Sequence, residues 1–258
     1  EYLSEEKIKT KRTMVSILAM VVGCFSKAVY IPFLALYWLM PKDKFYSRRQ
    51  KNLFKTGIFV LLILMFASFI LPLIGNVTSG AEVGDYRGGD TSQTSQLSMI
   101  LGYPLTYTGV LLKSLGTTFA SYFIGSKVLA NFAYRGIYDG IGYFVVLLTM
   151  LFKFVTDFGM TEKIYDAQIK RKIFIMKIWN AVLIFGTACM VWTALYLDFT
   201  PVGSMVINGV SPRYYLPLIF PLSLIFINQK VRCSMKLENY QSLIAFLMLI
   251  GTGISIYC

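Results

Sequence analysis

The sequence contains no histidine and few charged residues. Of its 258 residues, 15% are charged and 56% are apolar, and the mean hydropathy is +0.61. Soluble domains carry roughly a quarter charged residues, so this composition excludes both an ordinary soluble domain and a disordered chain. The absence of histidine excludes His-based catalytic triads, most zinc sites and imidazole proton shuttles.

The chain also lacks the short motifs of soluble enzymes, such as GxGxxG after a strand, GxxxxGK, GxSxG and HExxH. Its four cysteines have no CxxC spacing, which indicates neither a metal cluster nor a disulfide framework. The net charge is +12. Because the basic residues crowd short loops beside apolar runs, we attribute this charge to membrane topology and expect no nucleic-acid partner and no metal site. Dependence on a divalent metal stays open.

The apolar runs predict an all-α polytopic membrane protein with about five to seven membrane segments, built as a single integral membrane domain over residues 1–258. A spanning helix needs about 20 apolar residues. The run at 214–227 is short and contains Pro217 and Pro221, which bend a helix and remove backbone hydrogen bonds. The predicted spans are 57–74, 137–154, 173–197, 214–227 and 242–257.

Residues 14–40 are long for one span and short for two, with Lys27 near the middle and Pro32 soon after. Two alternatives stay open: a tilted, kinked helix, or a re-entrant hairpin of two half-helices that meet at residues 26–27. Lysine at mid-bilayer costs at least about 2.5 kcal/mol. We therefore expect Lys27 to face a wet or anionic cavity, or else to pair with a buried acid.

The loop charges predict the orientation of the chain. Basic residues concentrate at 41–55, at 153–177, at 230–236 and in the N-terminal stretch, which the positive-inside rule places in the cytoplasm. The long loop 75–136 and the short loop 198–212 then lie outside, as does the C-terminus. Within the long loop, residues 104–134 mix apolar and polar residues, which predicts amphipathic helices on the outer membrane face.

The strongest candidate site is the outer segment 198–221, where Arg213 and Tyr214 open the proline-containing helix. A guanidinium offers five donors in a fixed geometry that matches phosphate oxygens. The alternative is an interfacial arginine that reaches water beside a tyrosine belt. Asp198 is a weaker candidate that could position a substrate hydroxyl or act as a base. We interpret Asn180, within the third run, as a helix-packing residue.

At these residues a resemblance appears. The stretches 200–203 (TPVG), 207–210 (INGV) and 213–217 (RYYLP) resemble the signature of a bacterial family of predicted membrane proteins with domain of unknown function 2142. Residues 26–32 (SKAVYIP), with the basic cluster after them, are similar to a second element of that family. Gln96-Leu97 with Tyr103-Pro104 resembles a third. The chain departs from the family at Ser211-Pro212 in place of Gln-Gly, at Ala28 in place of proline, and at Tyr103 in place of histidine.

The resemblance implies a GT-C-like membrane glycosyltransferase in the bacterial plasma membrane. Such an enzyme transfers a sugar from a polyprenyl-phosphate donor to a cell-envelope polysaccharide on the outer face, so the implied partners are membrane lipid, the lipid-linked sugar and the acceptor polymer. No cofactor is implied beyond the lipid-linked donor, which is a substrate. The implied ligands of the lipid phosphate are Arg213 and Lys27, and the other implied substrate-binding residues are Tyr214, Asp198, Gln96 and Tyr103.

In GT-C enzymes the catalytic acid lies in the first outer loop, and members of this family are longer than this chain. The resemblance therefore implies that these residues are a C-terminal part, and that a missing N-terminal half or a partner chain carries the catalytic residue. We assign no catalytic residue here. Two other functions stay open, which are a transporter or flippase of lipid-linked sugars and a non-catalytic membrane scaffold.

Overall fold

The computed structural model describes residues 7–25, 27–79, 90–124, 148–153, 156, 167–226 and 234–257, and these residues form helices and no strand. The all-α prediction is confirmed for this part of the chain. Three 3-10 helices cover Ala28–Leu39, Lys42–Lys44 and Pro212–Leu218. The α-helices are α1 (Thr10–Phe25), α2 (Arg48–Ser79), α3 (Gln93–Gly102), α4 (Pro104–Ile124), α5 (Ala167–Phe199), α6 (Ile219–Ile225) and α7 (Leu237–Tyr257).

The chain divides into two units, the first made of residues 1–112 and 171–210 and the second of residues 113–170 and 211–258. In the first unit, α1 ends at Phe25 and a 3-10 helix begins at Ala28. The hydroxyls of Ser16 and Tyr37 share a hydrogen bond although they lie 21 residues apart, with the break midway between them. The chain therefore reverses direction between the end of α1 at Phe25 and the start of the 3-10 helix at Ala28. Whether this hairpin re-enters a membrane stays a prediction.

Two of the described helices are long and apolar enough to cross a membrane, Arg48–Asn76 and Lys170–Phe199. They contain the predicted spans 57–74 and 173–197. The exposed side chains of the second helix include Phe174, Ile178, Val182 and Phe185. Their spacing of three or four residues puts them on one face, as in a helix whose apolar face contacts lipid.

The other predicted spans take different forms. Segment 214–227 contains the end of the 3-10 helix Pro212–Leu218 and the seven-residue α6, and segment 242–257 lies within α7. Segment 137–154 is described only over 148–153 and lies otherwise outside the described residues. A count of five to seven membrane segments therefore stays a prediction.

The segment 28–44, which contains both 3-10 helices of the first unit, runs antiparallel to α5. Lys172 Nζ lies 3.0 Å from Asp43 Oδ2, and Trp179 Nε1 donates to the carbonyl of Ala35 at 3.1 Å. Residue numbers therefore increase along one segment as they decrease along the other, which is an antiparallel arrangement. Ile31 and Leu34 of the 3-10 helix and Trp192 and Tyr196 of α5 are fully buried and belong to the core of this unit.

The second unit has its own packing around α7. The hydroxyls of Thr156 and Tyr240 lie 2.8 Å apart, and the Tyr240 ring contacts that of Phe152 at 6.0 Å between centroids. In the 3-10 helix Pro212–Leu218, Tyr215 and Leu218 are buried. The contacts of Tyr240 with Thr156 and Phe152 therefore hold α7 against the segment around residues 152–156.

Candidate functional site

The candidate site of the first unit begins at the start of α3. The Ser92 side chain caps this helix by accepting a hydrogen bond from the Ser95 backbone N–H at 3.4 Å. The capped first turn carries Gln93 and Gln96, which are three residues apart and therefore neighbours on the helix surface. Gln96 is 0% exposed, and Gln93 is half-buried.

Each glutamine holds a different part of the chain near the end of α5. Gln96 Nε2 donates to the carbonyls of Thr200 and Pro201, both at 3.0 Å. Gln93 Nε2 donates to Asp198 Oδ1. Because each amide nitrogen faces acceptors, the orientation of both side-chain amides is fixed, and their Oε1 atoms point away from these partners.

The loop after α5 folds back onto the end of the helix through Thr200, which is fully buried. Its hydroxyl donates to the Leu195 carbonyl at 3.0 Å and accepts from the Asn208 N–H at 3.1 Å. A further backbone bond runs from the Val202 N–H to the Asp90 carbonyl at 3.2 Å. One buried hydroxyl therefore sets the shape of the loop, and the segment before α3 closes its outer edge.

Two glycines of this loop have left-handed backbone, Gly203 and Gly209, each with φ of +78°. A Cβ at Gly209 would lie 2.3 Å from Cδ1 of Phe199, whereas nothing lies within 4 Å of a Cβ at Gly203. Side chains are strained at positive φ in either case. Gly209 has the additional requirement that the Phe199 ring packs directly against its backbone.

The site carries a surplus of hydrogen-bond acceptors. The Oε1 atoms of Gln93 and Gln96 are buried and have no hydrogen-bond partner among the described residues. The Asp198 carboxylate, bonded to Gln93 Nε2, also has no proton to donate when ionised. An unsatisfied buried acceptor costs about 1–3 kcal/mol, so an O–H or N–H donor from water or from a ligand would be favourable there. Sugar hydroxyls have this chemistry, and phosphate does not.

The structure brings together two of the six residues that the sequence singled out. Asp198 and Gln96 meet at this site, joined through Gln93 and the Thr200 loop. Tyr103 ends α3 with its backbone N–H bonded to the Met99 carbonyl, while its side chain is 68% exposed.

The other three predicted residues lie elsewhere. Lys27 is exposed at the break of the hairpin, where it precedes the first 3-10 helix of the first unit. Arg213 and Tyr214 lie in the 3-10 helix Pro212–Leu218 of the second unit. Their proposed contact with a lipid phosphate is therefore not tested by the geometry.

Sequence reasoning missed Gln93, Thr200 and Thr187. Gln93 had a usable signal, because it precedes Gln96 by three residues on the same helix.

Asn180 is predicted to be a packing residue, and its Nδ2 donates within its own helix, to the Met176 carbonyl at 2.8 Å. Its Oδ1 and the hydroxyl of Thr187, seven residues later on the same face, are buried without a partner in the described structure. The described residues contain no group of three or more Cys, Asp or Glu side chains that could hold a metal ion.

Long apolar helices, with exposed apolar faces and polar groups gathered at a helix end, define a helical membrane protein. A family model described as predicted membrane protein (DUF2142) matches residues 2–222. The chain therefore belongs to this family, as its signature residues indicated. No curated protein and no solved structure matched the chain.

Proposed function

We propose that this chain forms the substrate-binding part of a GT-C-like glycosyltransferase, which uses a polyprenyl-phosphate-linked sugar to build or decorate a cell-envelope polysaccharide outside the bacterial plasma membrane. The observation that carries the proposal is the pair of buried, unpartnered amide oxygens of Gln93 and Gln96 beside Asp198. They lie where the apolar helix ends, which is where the sugar of a lipid-linked donor would meet the membrane surface.

The proposed roles separate the two ends of the donor. Gln93, Gln96 and Asp198 accept hydrogen bonds from sugar hydroxyls. Arg213 of the second unit and Lys27 of the first are each proposed as phosphate ligands, because a positive charge there stabilises the negative charge that develops as the sugar leaves. The guanidinium is suited to this task because it stays charged and binds phosphate oxygens in pairs. Tyr103 and Tyr214 are each proposed as sugar-contacting residues of their own unit.

Two binding measurements test this division of roles. Purified protein in lipid nanodiscs is titrated with a polyprenyl-phosphate hexose and, separately, with the same polyprenyl phosphate without its sugar. Asp198→Asn and Gln93→Met should weaken binding of the sugar-bearing lipid about fivefold each, which is the worth of about one hydrogen bond. They should leave binding of the bare lipid phosphate unchanged. Equal effects on both lipids would remove these residues from a sugar site.

A transfer assay with radiolabelled donor tests the phosphate role. Arg213→Ala should abolish transfer and weaken both lipids, and Arg213→Lys should also be impaired because a point charge does not replace a bidentate donor. Arg171→Ala is the matched control, since Arg171 is an exposed arginine near the other end of α5. Full transfer by Arg213→Ala would remove Arg213 from the site.

A flippase of lipid-linked sugars is the second candidate, supported by polar atoms inside the apolar helix. The Asn180 Oδ1 and the Thr187 hydroxyl are buried in that helix with no hydrogen-bond partner among the described residues, and the hairpin turns beside Lys27. Polar groups within a span often mark a transport path. Proteoliposomes with a fluorescent lipid-linked sugar distinguish the two functions: a flippase moves the label across the bilayer without an acceptor, and a transferase leaves it in place until an acceptor is added.

A further inference from the structure

The opposite end of the first unit contains a basic cavity that the proposed function does not use. Its volume is about 490 Å³, and the residues that line it are Lys42, Phe45, Tyr46, Ser47, Arg48 and Lys51. Three of these six residues are cationic, and none carries a carboxylate. If these basic residues served only membrane topology, their number would matter but they would not need to line one cavity.

The walls of this cavity are held by contacts with the N-terminal segment. The Ile8 N–H donates to the Lys44 carbonyl at 3.0 Å, and Lys7 Nζ donates to the Phe45 carbonyl at 3.1 Å. Phe45 is buried and packs on Phe54 with 5.3 Å between ring centroids. The lining backbone is therefore held by the N-terminal segment and by Phe54, and these contacts do not involve the cationic side chains of the lining itself.

The cavity also adjoins the N-terminus of α2, whose first residue is Arg48. Ser47 Oγ accepts from the Gln50 N–H at 3.1 Å, and Gln50 Oε1 accepts from the Tyr46 N–H at 2.8 Å. This reciprocal cap defines where the helix begins. The positive end of the helix dipole thus adds to the three cationic side chains, and both favour an anion.

Asp43, next in sequence to the lining residue Lys42, is already paired outside the cavity. Asp43 bonds to Lys172 at 3.0 Å and is not among the lining residues. Burial alone would raise the pKa of the Asp43 carboxyl, but the bonds from Lys172 and from its own backbone, with the charges of Lys172 and Lys44, lower it below its usual value. The carboxylate is therefore ionised and already engaged by a lysine outside the lining.

We propose that this cavity binds a phosphate group, and that its natural source is the headgroup of an anionic membrane lipid. The lining ends in the first turn of the helix Arg48–Asn76, which continues into the apolar stretch, so the cavity lies at headgroup depth. A soluble phosphate ester shares the same chemistry and is the other source. Either ligand would be held on the side that the positive-inside rule assigns to the cytoplasm.

The test compares two triple variants of the full chain that remove the same charge. In the first, Lys42, Arg48 and Lys51 are each changed to glutamine. In the control, Lys11, Arg12 and Arg49 are changed to glutamine; these are exposed basic residues of the same predicted side that do not line the cavity. Capping by Ser47 and Gln50 is intact in both. Monodisperse elution and thermal unfolding establish folding. If the first triple variant does not fold, the single variants Lys51→Gln and Arg49→Gln are compared instead.

The probes are nanodiscs of phosphatidylcholine with or without phosphatidylglycerol, and glycerol 3-phosphate as the soluble ester. We expect the cavity variant to lose about tenfold in affinity for phosphatidylglycerol and the control to change less than about twofold, because bidentate and convergent contacts outweigh diffuse attraction. Selective loss of glycerol 3-phosphate binding alone would support the site with a soluble ligand. Equal behaviour of the two variants toward both probes, or no binding of either probe by the unmodified protein, would overturn the proposal.

Discussion

The two ends of α5 differ in the hydrogen-bond chemistry that they offer. At the first end, Lys172 pairs with Asp43 near a cavity lined by three cations, and this end is rich in donors. At the second, Asp198 and two glutamine oxygens make an end rich in acceptors. Lys172 and Asp198 are 26 residues apart in one helix, which separates them by about 39 Å at 1.5 Å per residue.

This difference indicates which ligand each end can hold. The donor-rich end suits phosphate, and the acceptor-rich end suits hydroxyl groups. The separation exceeds the roughly 30 Å hydrocarbon thickness of a bilayer, so one membrane fits between the ends. Four experiments test the comparison, beginning with the one whose outcome is all or none.

The first prediction places the two ends on opposite sides of the membrane. In a chain whose four native cysteines are replaced by serine, Val206→Cys should react fully with an impermeant maleimide added outside intact cells. Val206 is 58% exposed in the loop after α5. Arg49→Cys, exposed at the basic end, should react only after the membrane is permeabilised. Labelling of both from one side would refute the membrane orientation.

The second prediction concerns the loop that shapes the acceptor-rich end. Gly209→Ala should lower the free energy of unfolding by about 3 kcal/mol, which adds the cost of positive φ to that of displacing Phe199. Gly203 has the same φ, but a Cβ there would meet no atom within 4 Å, so Gly203→Ala should cost only about 1 kcal/mol. Thermal unfolding in detergent measures both, and equal losses would show that the Phe199 contact has no energetic weight.

Much of this fold follows from local sequence, because long apolar runs and helix breaks are local properties. The spans 57–74 and 173–197 lie within the two long apolar helices, and the 3-10 helix Ala28–Leu39 begins directly after Lys27, which interrupts the apolar run. Gly209 lies in the stretch 207–210 that resembles the family signature, but only the structure shows that the Phe199 ring packs against its backbone.

The sites were less predictable because they depend on contacts between distant residues. The bond from Gln93 to Asp198 joins positions 105 apart, and no periodicity or motif reports such a pairing. The basic cluster was visible as charge, but the positive-inside rule explains that charge without any cavity. Only the fold shows that Lys42, Arg48 and Lys51 converge on one space.

The third prediction tests whether Gln96 supports the acceptor-rich end. Gln96→Leu removes two donors and leaves the carbonyls of Thr200 and Pro201 unsatisfied, so it should destabilise the protein by about 2 kcal/mol. Ser98→Leu is the control, since Ser98 is exposed on the same helix. The loss should appear in thermal unfolding of Gln96→Leu alone, and comparable stability of the two variants would mean that water or the loop replaces these bonds.

The fourth and smallest effect concerns the ion pair at the basic end. Asp43→Asn should destabilise the protein by at most about 1 kcal/mol at neutral pH, because the Asp43 side chain is 58% exposed and water screens the pair. The pKa of Asp43 is lower in the folded chain than its ordinary 3.8, so the stabilisation is complete above 3.8 and is lost as pH falls through the folded value. The unfolding temperatures of wild type and variant should therefore converge in acid, and also in high salt at neutral pH.

The control is Asp90→Asn, at an exposed carboxylate, which removes the same charge and should unfold at the wild-type temperature at neutral pH. A difference for Asp43→Asn that persists in acid would mean that the asparagine disturbs packing and that the charge has no role.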